Sequence, residues 1–136
     1  MITATTATKV IYIVEDDLPS AVLIREALEL EGEPTWRVRI ITDGTIALQT
    51  IEAFPPDLVL LDLRMPGTDG SAIFHRLREK AETMHLPVIF ISGATAYELH
   101  DSGIEEGVLL RKPVNLSILM HVVRKHLCPP TAEEEG

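Results

Sequence analysis

The chain has 136 residues and 46% hydrophobic content, which suits one domain with a buried core and excludes a chain disordered throughout. Its formal charge of −9 opposes nucleic-acid binding, which needs clustered Lys and Arg. No apolar run approaches the roughly 20 residues that span a bilayer, the N-terminus has no signal-peptide pattern, and the lone Cys128 cannot form an internal disulfide and suits a reducing cytoplasm.

Residues 1–8 are small and Thr-rich, and are expected to be a flexible lead-in to a domain over 9–128. Lys9–Val14 (KVIYIV) is β-branched and aromatic, so it predicts a buried strand that ends at Glu15-Asp16-Asp17. A helix of about three turns follows, with Pro19 near its start and Gly32 after its end. Ile24, Ala27 and Leu28, flanked by Leu23 and Leu30, are its expected apolar face. Trp36–Thr42 predicts a second strand, broken by Asp43-Gly44. Ala47, Leu48, Ile51 and Phe54 recur at helical spacing until Pro55-Pro56. Asp57–Asp62 is the third expected strand, and Asp69 opens a third helix with Ile73, Phe74, Leu77 and Ala81 inward. Leu86–Ser92 (LPVIFIS) and Gly107–Arg111 (GVLLR) are the fourth and fifth strands, with a short helix between them near Ala94–Ser102. Asn115 is a good N-cap for a last helix carrying Leu116, Leu119, Met120, Val123 and Leu127. Residues 129–136 (PPTAEEEG) read as a solvated acidic tail.

Strand and helix thus alternate five times. The strands near 10–14, 58–61 and 88–91 are continuously apolar, which implies a parallel sheet covered by helices on both faces. In such a sheet, ligands bind beyond the carboxyl ends of the strands. Glu15, Asp16 and Asp17 stand after the first strand, Asp62 after the third, Ser92 and Gly93 after the fourth, and Lys112 after the fifth. Clustered carboxylates in a partly buried cleft need a cation to stay ionised, and hard oxygen donors suit Mg²⁺. A metal, a lysine and a hydroxyl around one aspartate match the charge neutralisation that phosphoryl transfer requires. An aspartate can itself be the nucleophile.

Four motifs stand in order at these strand ends: IVEDD at 13–17, LLDLRMPGTDG at 60–70, PVIFISG at 87–93 and RKP at 111–113. With them the chain resembles the receiver domain of two-component response regulators over about residues 8–128. The resemblance implies an α/β, flavodoxin-like (βα)5 fold, a doubly wound five-stranded parallel sheet with strand order 2-1-3-4-5. It implies that Asp62 is the phosphoacceptor, that Asp16 binds Mg²⁺ directly and Glu15 through water, and that the backbone carbonyl of Arg64 is a further ligand. Ser92 would hydrogen-bond the phosphoryl group and Lys112 would pair with it. The N–H groups of Arg64 and Gly93 would complete the cradle. A cis bond between Lys112 and Pro113 is also implied. The phosphodonor would be a sensor histidine kinase or a histidine phosphotransfer protein, and a downstream protein would read the result. The chain would act as a diffusible, cytoplasmic, self-assisting switch, able to form a homodimer, with no nucleic-acid or membrane partner.

One departure stands out: Leu109 occupies the place where the family usually carries Tyr or Phe three residues before the lysine. It favours a second reading, a binding module that recognises its partner without phosphate. A phosphatase with an aspartate nucleophile is disfavoured, because the position two residues after Asp62 is Arg64 rather than an acid. The Arg64 side chain, at the expected pocket mouth, is predicted to tune water access. Asp17 reads as a cap of the first helix, Tyr97 as a packing residue, and the five histidines show no metal spacing.

Overall fold

The computed structural model describes residues 8–93 and 108–128. In chain order these form β1 (Lys9–Val14), α1 (Leu18–Glu31), β2 (Trp36–Ile41), α2 (Gly44–Ala53), β3 (Leu58–Asp62), β4 (Arg64–Met65), β5 (Thr68–Asp69), α3 (Gly70–Arg78), β6 (Val88–Ser92), β7 (Val108–Arg111) and α4 (Leu116–Leu127). The five long strands make one parallel sheet in the order β2-β1-β3-β6-β7, which is 2-1-3-4-5 when only those strands are counted. The expected short helix near 94–102, with Tyr97, lies outside the described residues.

The sheet is covered on both faces. Because side chains alternate along a strand, Val59 and Leu61 of β3 pack with Ala47 and Ile51 of α2 and with Ile73, Phe74 and Leu77 of α3. Leu58 and Leu60 point the other way, to Ile24 and Leu28 of α1 and Leu119, Val123 and Leu127 of α4. Every residue of β3 is buried, as its continuous apolar run requires.

Several expected core positions turn outward. Phe54 is 69% exposed. It is the C-cap of α2, where the following proline drives the chain out of helical geometry; its backbone is held, the N–H donating to Thr50 O at 2.9 Å and the carbonyl accepting the Tyr12 hydroxyl at 2.6 Å, while the ring turns outward. Ala81 is exposed because α3 already ends at Arg78. There the Thr83 hydroxyl takes the Leu77 carbonyl at 2.6 Å and the helical ladder stops. Leu23 and Leu30, seven residues apart on α1, share its outer side and are 56% and 83% exposed.

The segment after β3 holds a feature the sequence pattern did not announce. Arg64 pairs with Asp69 and Met65 with Thr68 in a two-rung antiparallel hairpin, closed by Pro66-Gly67 with Gly67 at φ 72°. A positive φ of this kind favours glycine. Asp69 then accepts from Ser71 N–H at 2.9 Å and starts α3.

Candidate functional site

Parallel strands deliver their carboxyl ends to one edge, and the polar residues gather there. Asp62, the last residue of β3, is 2% exposed, and Glu15, directly after β1, is 1% exposed. Ser92, the last residue of β6, is fully buried, and Gly93 follows it. Lys112 follows β7, and its backbone N–H donates to Ser92 O at 3.1 Å. The peptide bond between Lys112 and Pro113 is cis.

Both oxygens of Asp62 are engaged. Oδ2 accepts from Lys112 Nζ at 2.9 Å, and Oδ1 accepts from the Arg64 N–H at 2.9 Å. Lys112 Nζ also stands 2.9 Å from Glu15 Oε2 as an ion pair. That oxygen makes no well-aligned hydrogen bond among the described residues, although it is buried. Glu15 Oε1 accepts from the Asp17 N–H at 3.1 Å. One ligand atom each from Glu15, Asp16 and Asp62 lies within 4.8 Å of the others.

The electrostatics follow from this crowding. Burial raises the Glu15 carboxyl above its ordinary value; Lys112 and the Asp17 N–H oppose the shift, and the Asp62 charge adds to it. Burial acts to lower the Lys112 ammonium, but Glu15 and Asp62 outweigh it and hold the group above its ordinary value. One ammonium thus serves two buried carboxylates, with the exposed Asp16 as a third close by. A three-carboxylate donor set around an under-bonded buried oxygen fits a hard divalent cation.

Asp17 is not a side-chain cap. It occupies the N-cap position of α1, but its carboxylate accepts from no helix N–H and takes the Ser20 hydroxyl instead. An N-cap side chain reaches the N–H of the second or third helical residue, and here the second is Pro19, which has none. The Arg64 residue is exposed beside the site. Leu109 is partly buried and packs against the core shared with α2 and α3. A cavity of about 170 Å³ adjoins the Glu15 and Lys112 pair, walled by Leu23, Ile24, Pro113 and Leu116. Reading Leu23 as a core flank hid it.

Residues 11–124 match the response regulator receiver domain. The chain belongs to this family. The receiver is 34% identical over 94 residues to a probable cyclic di-GMP phosphodiesterase of Vibrio cholerae, covering 68% of the chain and only 21% of that protein. It is 29% identical over 123 residues to the polar-differentiation response regulator DivK of Brucella ovis, covering 88% of the chain and 97% of DivK. A solved CheY-like receiver domain from Methanospirillum hungatei superposes with a TM-score of 0.78 at 25% identity, covering 96% of the chain and all of that structure. Its family is that of the receivers of two-component response regulators. Among the described residues, no helix is long and apolar enough to cross a membrane.

Proposed function

We propose that Asp62 is the phosphoacceptor, that Lys112 and Ser92 hold the incoming phosphoryl group, and that Glu15, Asp16, Asp62 and the Arg64 carbonyl hold Mg²⁺. The observation that carries this reading is the pinned Asp62 carboxylate, with Lys112 on one oxygen and the Arg64 N–H on the other, beside two further carboxylates. Such fixing orients a nucleophile without further reorganisation, which is most of what phosphoryl transfer asks of a protein.

A carboxylate oxygen of Asp62 attacks the phosphorus of a phosphohistidine on a sensor histidine kinase or histidine phosphotransfer protein. A P–O bond forms, the P–N bond breaks, and the electron pair returns to the imidazole nitrogen. Lys112, already within 2.9 Å of Asp62, neutralises charge on the transferring group. The Ser92 hydroxyl, at the neighbouring strand end, donates to a phosphoryl oxygen. Mg²⁺ held by Glu15, Asp16, Asp62 and the Arg64 carbonyl would supply further charge neutralisation. Residues 9–128 form the switching unit, and slow loss of the phosphoryl group to water resets it. A downstream protein in the cytoplasm reads the state, and homodimerisation is one way to present it. Phosphate-independent recognition has only Leu109 in its favour, against a receiver family match and a complete acidic site.

Incubation with Mg²⁺ and acetyl phosphate, followed by intact-mass measurement, tests the assignment. Wild-type protein is expected to gain one phosphoryl group, and Asp62→Asn or an excess of chelator is expected to prevent it. An adduct that persists in Asp62→Asn overturns the assignment.

A further inference from the structure

The hairpin β4–β5 joins Asp62 to the first turn of α2 by an unbroken series of contacts. Asp62 Oδ1 accepts the N–H of Arg64, the first residue of β4. Arg64 and Met65 pair with Asp69 and Thr68, so the hairpin moves as one piece. The Thr68 side chain bears on Gly44, the first residue of α2: a Cβ added at Gly44 would stand 2.6 Å from Thr68 Oγ1 and 2.7 Å from its Cβ and Cγ2. Only a residue without a side chain allows that approach. Met65 packs in the same core as Ala47 and Ile51 of α2. The Thr68 Oγ1 is buried and has no hydrogen-bond partner among the described residues. A buried polar atom without a partner calls for a physical account. Steric contact with Gly44, rather than a hydrogen bond, thus fixes where the Thr68 side chain sits.

We propose that the β4–β5 hairpin is a lever through which the state of Asp62 reaches the N-terminus of α2, with Thr68 as its point of contact. The inference rests on Asp62 being the phosphoacceptor. Phosphorylation converts the carboxylate to an acyl phosphate. The acceptor facing the Arg64 N–H is then an esterified oxygen, a neutral carbonyl or a phosphoryl oxygen, and its charge-assisted bond to the Asp62 carboxylate is replaced in every case. The hairpin's anchor to the site is thereby altered. Close packing passes the displacement on, because a tightly packed interior has no slack to absorb it. The face that responds is then the start of α2, on the far side of Asp62 from Lys112.

Amide hydrogen exchange on the full chain, with Mg²⁺ and acetyl phosphate and with intact mass read in parallel, tests the lever. In the phosphorylated wild type, exchange at Thr45, Ile46 and Ala47 is expected to change by about threefold or more. Thr68→Val keeps the shape of the contact and is expected to keep the response. Thr68→Ala shortens the contact and is expected to lose the response while still forming the adduct. An adduct without any change in these amides overturns the lever and leaves the Asp62 assignment standing. So does a full response in Thr68→Ala. Absence of an adduct in the wild type overturns the Asp62 assignment, and the lever with it.

Discussion

Lys112 and Glu15 respond to the same confinement in ways that set the pH dependence of the site. The Lys112 ammonium is held above its ordinary value, so its contribution is complete at neutral pH and is lost only as pH rises through that raised value. Glu15 has the opposite consequence near neutrality. Burial raises its carboxyl, so the folded state holds the proton more tightly than the unfolded chain does. Its favourable contribution is complete below the ordinary value of 4.5 and is lost as pH rises through the raised one. At pH 7, without divalent cation, Glu15→Gln is therefore expected to be more stable than wild type in urea denaturation. The gap is expected to close below pH 4.5, where wild-type Glu15 is itself neutral. Saturating Mg²⁺ is expected to narrow it at pH 7, since a bound cation stabilises the ionised carboxylate. A wild type more stable than Glu15→Gln at pH 7 in chelator would contradict the argument.

At the scale of elements, helix starts are built from local chemistry that a single substitution can probe. Asn115 Oδ1 accepts the Ile118 N–H at 3.0 Å and caps α4. Asn115→Ala is expected to cost about 1 kcal/mol, measured as a lower urea midpoint with an unchanged slope. This cap is legible in sequence because Asn precedes an apolar periodic run with no proline in reach. The Asp17 side-chain cap is not realised: Pro19 takes away one of its two targets, and the carboxylate accepts the Ser20 hydroxyl rather than the Ser20 N–H. Strand ends are legible for a related reason: an apolar run followed by Asp62 or by Lys112-Pro113 has little choice about where the sheet stops. Helix faces are less so. Phe54 and Ala81 keep helical spacing past the point where Pro55 and the Thr83 hydroxyl have ended the helices. The site residues at four strand ends are readable one by one. The β4–β5 hairpin is not, because two-residue strands carry no periodicity. The contact of Thr68 with Gly44 joins segments apart in sequence and leaves no local pattern at all.

For the molecule as a whole, β3 is the strand that makes the fold one unit. It pairs with β1 on one side and β6 on the other. It sends Val59 and Leu61 into the core under α2 and α3, and Leu58 and Leu60 into the core under α1 and α4. The strand cannot leave the sheet without opening both cores. The chain should therefore unfold in one cooperative step. The single tryptophan allows a direct test, because Trp36 is buried in the α1 and α4 core and reports only that side. Its fluorescence transition in urea is expected to coincide with the loss of helical circular dichroism, to which α1, α2, α3 and α4 all contribute. Leu60→Ala removes a fully buried side chain from the tryptophan's own core and is expected to cost about 2–5 kcal/mol. Leu61→Ala does the same on the opposite face, away from Trp36. If the two layers form one unit, Leu61→Ala must shift the Trp36 transition as fully as it shifts the dichroism. A tryptophan transition left at its wild-type midpoint in Leu61→Ala would mean that the faces unfold separately. Asp62 would then sit at a seam between two cooperative units rather than on a rigid strand.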